Sequence, residues 1–171
     1  SSLKDAIVGL SEGATPRGFF CTGEIVSQNS LMFTNHHCGY NAIQKLSTVE
    51  HDYLTDGFWA KDFSEELPAE GISASFLVRM EDVTEQVLSV VKEGMTWEER
   101  NAAIKAKSTE LEAAASEDGK YNPIISAFFE GNEYYMFVYR VYTDVRLVGT
   151  PPSSIGKFGG DTDNWMWPRH T

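Results

Sequence analysis

Two cysteines bracket the segment CTGEIVSQNSLMFTNHHC, residues 21–38, and the chain has no others. Residues 17–27 and 31–35 read as two strands, with Gln28 and Asn29 at the turn, where Asn tolerates positive φ. A hairpin of this kind returns Cys38 to the side of Cys21, within the separation that a disulfide requires. Closing that loop contributes about 3 kcal/mol in the chain-entropy model. Two buried free thiols are the other reading of the same pair. The hairpin favours the bridge and, with it, an oxidising compartment.

With 171 residues, 42% of them hydrophobic, the chain is the size of one globular domain with its own core. Its 14 Lys+Arg against 25 Asp+Glu leave a formal charge of -11. Such a field repels a duplex or an anionic membrane, so nucleic-acid binding is not expected. No apolar run approaches bilayer length, so no membrane span is expected. The opening SSLKDAIVGL has neither a basic n-region nor a long apolar stretch. Ile7 and Val8 could already lie in a strand, so the start reads as a boundary within a longer polypeptide or a processed end.

Beyond the hairpin, residues 39–71 are mostly irregular, with a short helical turn at 41–46. Strand character returns at 72–80, ISASFLVRM. Asp82 with Glu85, followed by Val83, Val87, Leu88 and Val91, then predicts a capped helix that ends at Gly94. Thr96 with Glu99 opens a second helix, closed by Gly119. Strands resume at 122–130, and Gly131-Asn132 signals a hairpin. Residues 133–142, EYYMFVYRVY, are apolar on both faces and predict a central strand. The reading is a mostly β chain, a barrel or curled sheet, with a helical hairpin inserted at about 82–118.

The stretch TNHHC carries the chemistry. His is the side chain suited to moving protons near neutral pH. Adjacent strand residues point to opposite faces, so His36 and His37 do not serve one metal together, and Cys38 does not repair that geometry. No His-x-His or Cys-x-x-Cys pair supports zinc, so no metal and no cofactor are expected. A general base for a serine nucleophile is the better reading.

Strand, tight turn, apolar strand, small polar residues and His-Cys resemble the surroundings of the base in chymotrypsin-like proteases. On that resemblance His37 is the general base, His36 its neighbour, and Cys38 bridges back to Cys21. TNHHCGY together with GGDTDNWMWPRHT, and also YLTDGFWAK and RLVGTPPSSIGKFGGDTDNW, resemble the serine dipeptidyl-peptidases of Gram-negative bacteria over nearly the whole chain. That family removes dipeptides from free peptide N-termini. The resemblance implies the first trypsin-like barrel of a double-barrel protease spanning residues 1–171, with the second barrel and a capping helical domain absent. It implies peptide substrates with a free N-terminus, a tendency to form homodimers, and a periplasmic, cell-surface or secreted location. It gives Asn164 and Trp165 the substrate's terminal ammonium, which an amide oxygen and an indole face can both hold.

The family's triad acid follows WPRHT in a Gly-Asp pair and its serine lies in a Gly-x-Ser-Gly-like stretch. Neither is present by Thr171, so the segment alone is expected to be inactive. Asp161 and Asp163 then read as loop-structuring residues, and Ser153 and Ser154 have no nucleophile context. On residue type alone, Trp165 and Trp167 are ordinary core residues. Two other functions fit the residues. One is a non-catalytic module that captures a peptide end or a sugar with Trp165, Trp167, Tyr134 and Tyr135. The other is a structural domain in which the His-Cys pair is incidental. The sequence leaves open whether an apolar or an acidic residue is preferred at the cleavage position.

Overall fold

The computed structural model of the chain describes residues 3–15 and 17–156. Asp161, Asp163, Asn164, Trp165 and Trp167 lie outside them. In chain order the elements are β1 (Ile7–Glu12), β2 (Cys21–Ile25), β3 (Met32–Thr34), α1 (His36–Leu46), α2 (Tyr53–Asp56), β4 (Phe58–Trp59) and β5 (Leu67–Pro68). Then follow β6 (Ile72–Asp82), α3 (Thr84–Leu88), α4 (Trp97–Ala115), β7 (Asn122–Phe128), β8 (Glu133–Tyr142), β9 (Arg146–Leu147), β10 (Gly149–Thr150) and α5 (Ser153–Gly156). The chain divides into two compact units: Ser1–Ala74 with Tyr142–Thr171, and Ser75–Val141.

In the first unit the strand order is β3-β2-β1, continued by the opening residues of β6. β1 and β2 are antiparallel from Ile7↔Glu24 to Leu10↔Cys21. Two small antiparallel pairs draw on residues far apart in sequence. β4 meets β10 at Trp59↔Gly149, and β5 meets β9 at Leu67↔Leu147. Gly149 lets the Trp59 ring lie directly against the backbone, where a Cβ would displace it. The buried residues of this unit are small or polar as often as apolar. Val8, Leu10 and Ile43 share the interior with Ser11, Ser73, Ala69, Thr150, His36 and Cys38.

The second unit is built on β6, β8 and β7 in that order, with α4 packed against α3 and β7. Alternate residues of β8 (Tyr134, Met136 and Val138) face the helices and form one cluster with Val83, Val87 and Ile104. Period-two alternation on a sheet and the apolar stripe of α3 meet there, which is why the helices form at that point. β8 is an inner strand, as its composition predicts. Its burial alternates, however, so only one face is fully covered.

Of the two predicted capping boxes one forms. The Thr96 hydroxyl accepts from the Glu99 N–H (3.2 Å) and the Glu99 carboxylate accepts from the Thr96 N–H (2.9 Å). At the other, Val83 takes the cap position with φ -118 and ψ 15, and Asp82 accepts from the Thr84 N–H in a local turn instead. Its helix is correspondingly short and ends at Leu88, not near Gly94. β7 lies at the end of the strand order, and Glu112 from α4 accepts the Ile125 N–H at 2.8 Å.

Candidate functional site

The site begins with the β2–β3 hairpin. Gly23↔Thr34, Glu24↔Phe33 and Ile25↔Met32 set its register. Glycine is needed at 23, because a Cβ there would lie 2.7 Å from the Phe33 carbonyl oxygen. The turn centres on Gln28 and Asn29, as the sequence predicts. The left-handed residue is Ser30, at φ +64. The Ser27 hydroxyl holds the loop by accepting from the N–H groups of Asn29 (3.2 Å) and Leu31 (3.1 Å). Thr34 ties the strands again, its hydroxyl donating to the Thr22 carbonyl at 2.7 Å.

The chain then departs from the expected strand end. Asn35 is extended (φ -70, ψ 147), and His36, His37 and Cys38 are the first three residues of α1. The expectation that two adjacent strand residues point His36 and His37 to opposite faces therefore fails at its premise. On a helix, neighbouring residues are about 100° apart around the axis. His36 and Cys38 are buried, each 8% exposed, whereas His37 is exposed. The His36 ring meets the Tyr40 ring edge-on, with centroids 6.1 Å apart. Ile43 anchors the buried side of the helix, and Ser47 ends it by donating its hydroxyl to the Ile43 carbonyl (2.9 Å).

Cys21 and Cys38 form a disulfide, with Cα atoms 5.9 Å apart. The bond fastens the first turn of α1 to β2. Both sulfurs and a His37 ring nitrogen lie within 4.8 Å of one another. Because the sulfurs are bonded to each other, neither is available as a thiolate ligand. What the arrangement does instead is hold the base of an exposed imidazole still, on a short helix that cannot pivot about its own start.

Beside it opens a cavity of about 430 Å³. Thr34, Asn35, His36 and Gly39 form one wall, with Leu147 and Ile155 among the residues opposite. The cavity is thus lined by His36, not by His37. No sequence signal marked Leu147 or Ile155 as site residues, because their placement depends on the long-range β5–β9 and β4–β10 pairings. The Ser153 hydroxyl oxygen is buried and, among the described residues, has no hydrogen-bond partner. A hydroxyl without a base has no means of activation. Tyr134 is 6% exposed and belongs to the core of the second unit, while the Tyr135 hydroxyl donates to Glu133 at 3.1 Å. Adjacent on β8, the two rings lie on opposite faces, so they do not form the shared aromatic surface that a sugar- or peptide-capturing module would need. No helix among the described residues is long and apolar enough to cross a membrane.

Comparison with known proteins adds the family. The peptidase S46 model matches residues 2–171. The chain is 53% identical to dipeptidyl-peptidase 7 of Capnocytophaga gingivalis over 171 residues, covering 100% of the chain and 23% of that protein. It is 48% identical to the Asp/Glu-specific dipeptidyl-peptidase of Flavobacterium psychrophilum, covering 100% of the chain and 23% of the relative. Among solved structures it is similar to Porphyromonas endodontalis DPP11 in complex with the dipeptide Arg-Asp. There the TM-score is 0.82 at 44% identity, across 100% of the chain and 24% of the other. The chain thus spans about a quarter of the length of the relatives it matches. The mostly β class with inserted helices, expected from the strand pattern, and the trypsin-like barrel, implied by the resemblance, are both carried by that structural match.

Proposed function

The chain belongs to the peptidase S46 family, and from that premise we propose that it carries the general-base segment of a serine-type dipeptidyl-peptidase that releases dipeptides from free peptide N-termini. His37 is the base. It takes the proton of a serine hydroxyl as that oxygen attacks the scissile carbonyl, and returns it to the leaving amine. The observation that carries this reading is the exposed imidazole on a helix start that a disulfide fastens to β2. Proton transfer needs a ring held in one place yet open to its partner, and this junction supplies both. Relatives named as dipeptidyl-peptidases, and a neighbour solved with a dipeptide, support the substrate class.

The remaining roles follow the resemblance. Asn164 and Trp165 receive the ammonium of the substrate, which sets the cleavage register, and the serine and the triad acid come from polypeptide beyond the motifs present here. A periplasmic, cell-surface or secreted location suits the disulfide, and a homodimer suits the family.

The test is His37→Ala in the intact protein, with turnover of a dipeptidyl substrate as the readout. Loss of a triad base is expected to lower kcat/KM at least about a thousandfold. Unchanged turnover would refute the assignment. A binding-only module is less well supported, because Tyr134 is committed to the core.

A further inference from the structure

We propose that reduction of the Cys21–Cys38 bond turns the junction of β2 and α1 into a three-ligand site for Zn²⁺, made of the two cysteine thiolates and the His37 imidazole. The three donor atoms already lie within 4.8 Å of one another in the oxidised chain. A tetrahedral zinc with sulfurs at about 2.3 Å and a nitrogen at about 2.0–2.1 Å holds such atoms roughly 3.6–3.8 Å apart. Once the S–S bond opens, the sulfurs part to that spacing, and a pair at the 4.8 Å limit closes by about 1 Å. Each ligand also has an anchor besides the bond, so opening it loosens the junction without dispersing the three donors. Cys21 is paired across the ladder with Leu10. His37 and Cys38 share the first turn of a helix anchored by the buried Ile43.

The chemistry of opening favours the same outcome. Cys21 is half-buried and Cys38 only 8% exposed, so a reductant reaches Cys21 Sγ first. Cys38 then leaves as a thiolate at the third residue of an 11-residue helix, where the first-turn N–H groups and the macrodipole favour negative charge. With a trialkylphosphine, a P–S bond forms to Cys21 as the S–S bond breaks. Water then delivers its oxygen to phosphorus, giving the phosphine oxide, and both cysteines end as thiols. The two electrons come from phosphorus. Binding of Zn²⁺ next releases the two thiol protons to solvent. Water completes the fourth position.

Zinc in this site captures the ring that moves the proton in the proposed reaction. Inhibition therefore rests on that reading, whereas the site itself does not.

The experiment uses the intact protein, reduced with a trialkylphosphine and titrated with Co²⁺ as a spectroscopic probe, in parallel with the oxidised protein and a Cys21→Ser/Cys38→Ser variant. One equivalent of Co²⁺ is expected to give thiolate-to-cobalt charge transfer and tetrahedral d–d bands in the reduced protein. Both bands should be absent from the oxidised protein and from the variant. His37→Ala keeps both sulfurs and the cross-link during folding. After reduction it should bind Co²⁺ at least about tenfold more weakly. No charge-transfer band in the reduced protein, or equal bands in the double Ser variant, would overturn the proposal; unaltered affinity in His37→Ala would remove the imidazole from the site. Micromolar Zn²⁺ is then expected to abolish turnover of the reduced protein and leave the oxidised protein active. Cobalt bands without inhibition by zinc would sustain the metal site and count against His37 as the base.

Discussion

The two units are held together by different means. In the second, Val83, Val87, Ile104, Tyr134, Met136 and Val138 bury one shared apolar cluster between two helices and a sheet. In the first, the buried set includes Ser11, Ser73, Thr150 and His36, and a covalent bond from β2 to α1 supplements it. The difference fits the placement of the chemistry. An exposed imidazole beside a cavity cannot be surrounded by packed hydrocarbon, so it is fixed by a cross-link and by ladder hydrogen bonds. The second unit has no such demand and uses ordinary close packing.

That contrast can be broken in measurable ways. The largest effect is expected from Met136→Ala. Removing most of a side chain that is 5% exposed should cost about 2–5 kcal/mol, read as lost amide protection in α3, α4 and β8, with the hydrogen bonds of β1 and β2 spared. Replacing both cysteines by serine should cost about 3 kcal/mol, with protection lost in β2, β3 and α1 instead. Equal loss across both units in either variant would mean that the two are one cooperative structure. Thr96→Ala removes a cap and should lower stability by about 1 kcal/mol, seen as fraying of the first turn of α4.

The smallest effect is a dependence on pH. Hydrogen bonds from the Thr96 N–H and hydroxyl hold the Glu99 carboxyl below the usual carboxylate range. A depressed value in the folded state means that the unfolded chain binds the proton first on acidification. The contribution is therefore complete above the ordinary Glu value and is lost as pH falls through the folded one. Glu99→Gln should accordingly be slightly less stable than the parent at pH 7, with the gap closing as pH falls below the ordinary Glu range. A gap that persisted at low pH would show that packing, not charge, is responsible.

Much of the second unit was legible because its signals are local. Thr96 and Glu99 are three residues apart, and Gly131-Asn132 marks the hairpin, although β7 ends at Phe128 and the turn takes four residues, 129–132, in place of the predicted two. The first unit was legible only where chemistry constrains it, at the paired cysteines and the turn at Gln28-Asn29. The start of α1 was misread because LMFT runs directly into it. Asn35 makes no side-chain cap hydrogen bond, and Gly39 weakens helix propensity in its first turns. Tertiary anchoring through Ile43 and Cys38 outweighs that local preference. Likewise Asp82-x-x-Glu85 matches a capping box in pattern. Thr84 recruits Asp82 locally and bonds across to β8, accepting from the Tyr134 N–H at 2.9 Å. The cavity wall was out of reach, since RLVGTPPSSIGKFGGDTDNW marks the family without singling out Leu147 or Ile155, which distant pairings bring there.

Those distant pairings have a consequence for biosynthesis. Trp59 waits for Gly149, and Leu67 for Leu147, so neither ladder can close until the ribosome has released the whole intervening insert. The insert needs no partner from outside its own span to pair β7 with β8, and loop closure over so short a separation is fast. The loop that Cys21 and Cys38 close is equally short, the two being 17 positions apart, so they can meet as soon as the chain enters an oxidising compartment. The β2–β3 hairpin and the helical insert can therefore each form over short separations, and high contact order confines the slow phase of maturation to the late β4–β10 and β5–β9 pairings.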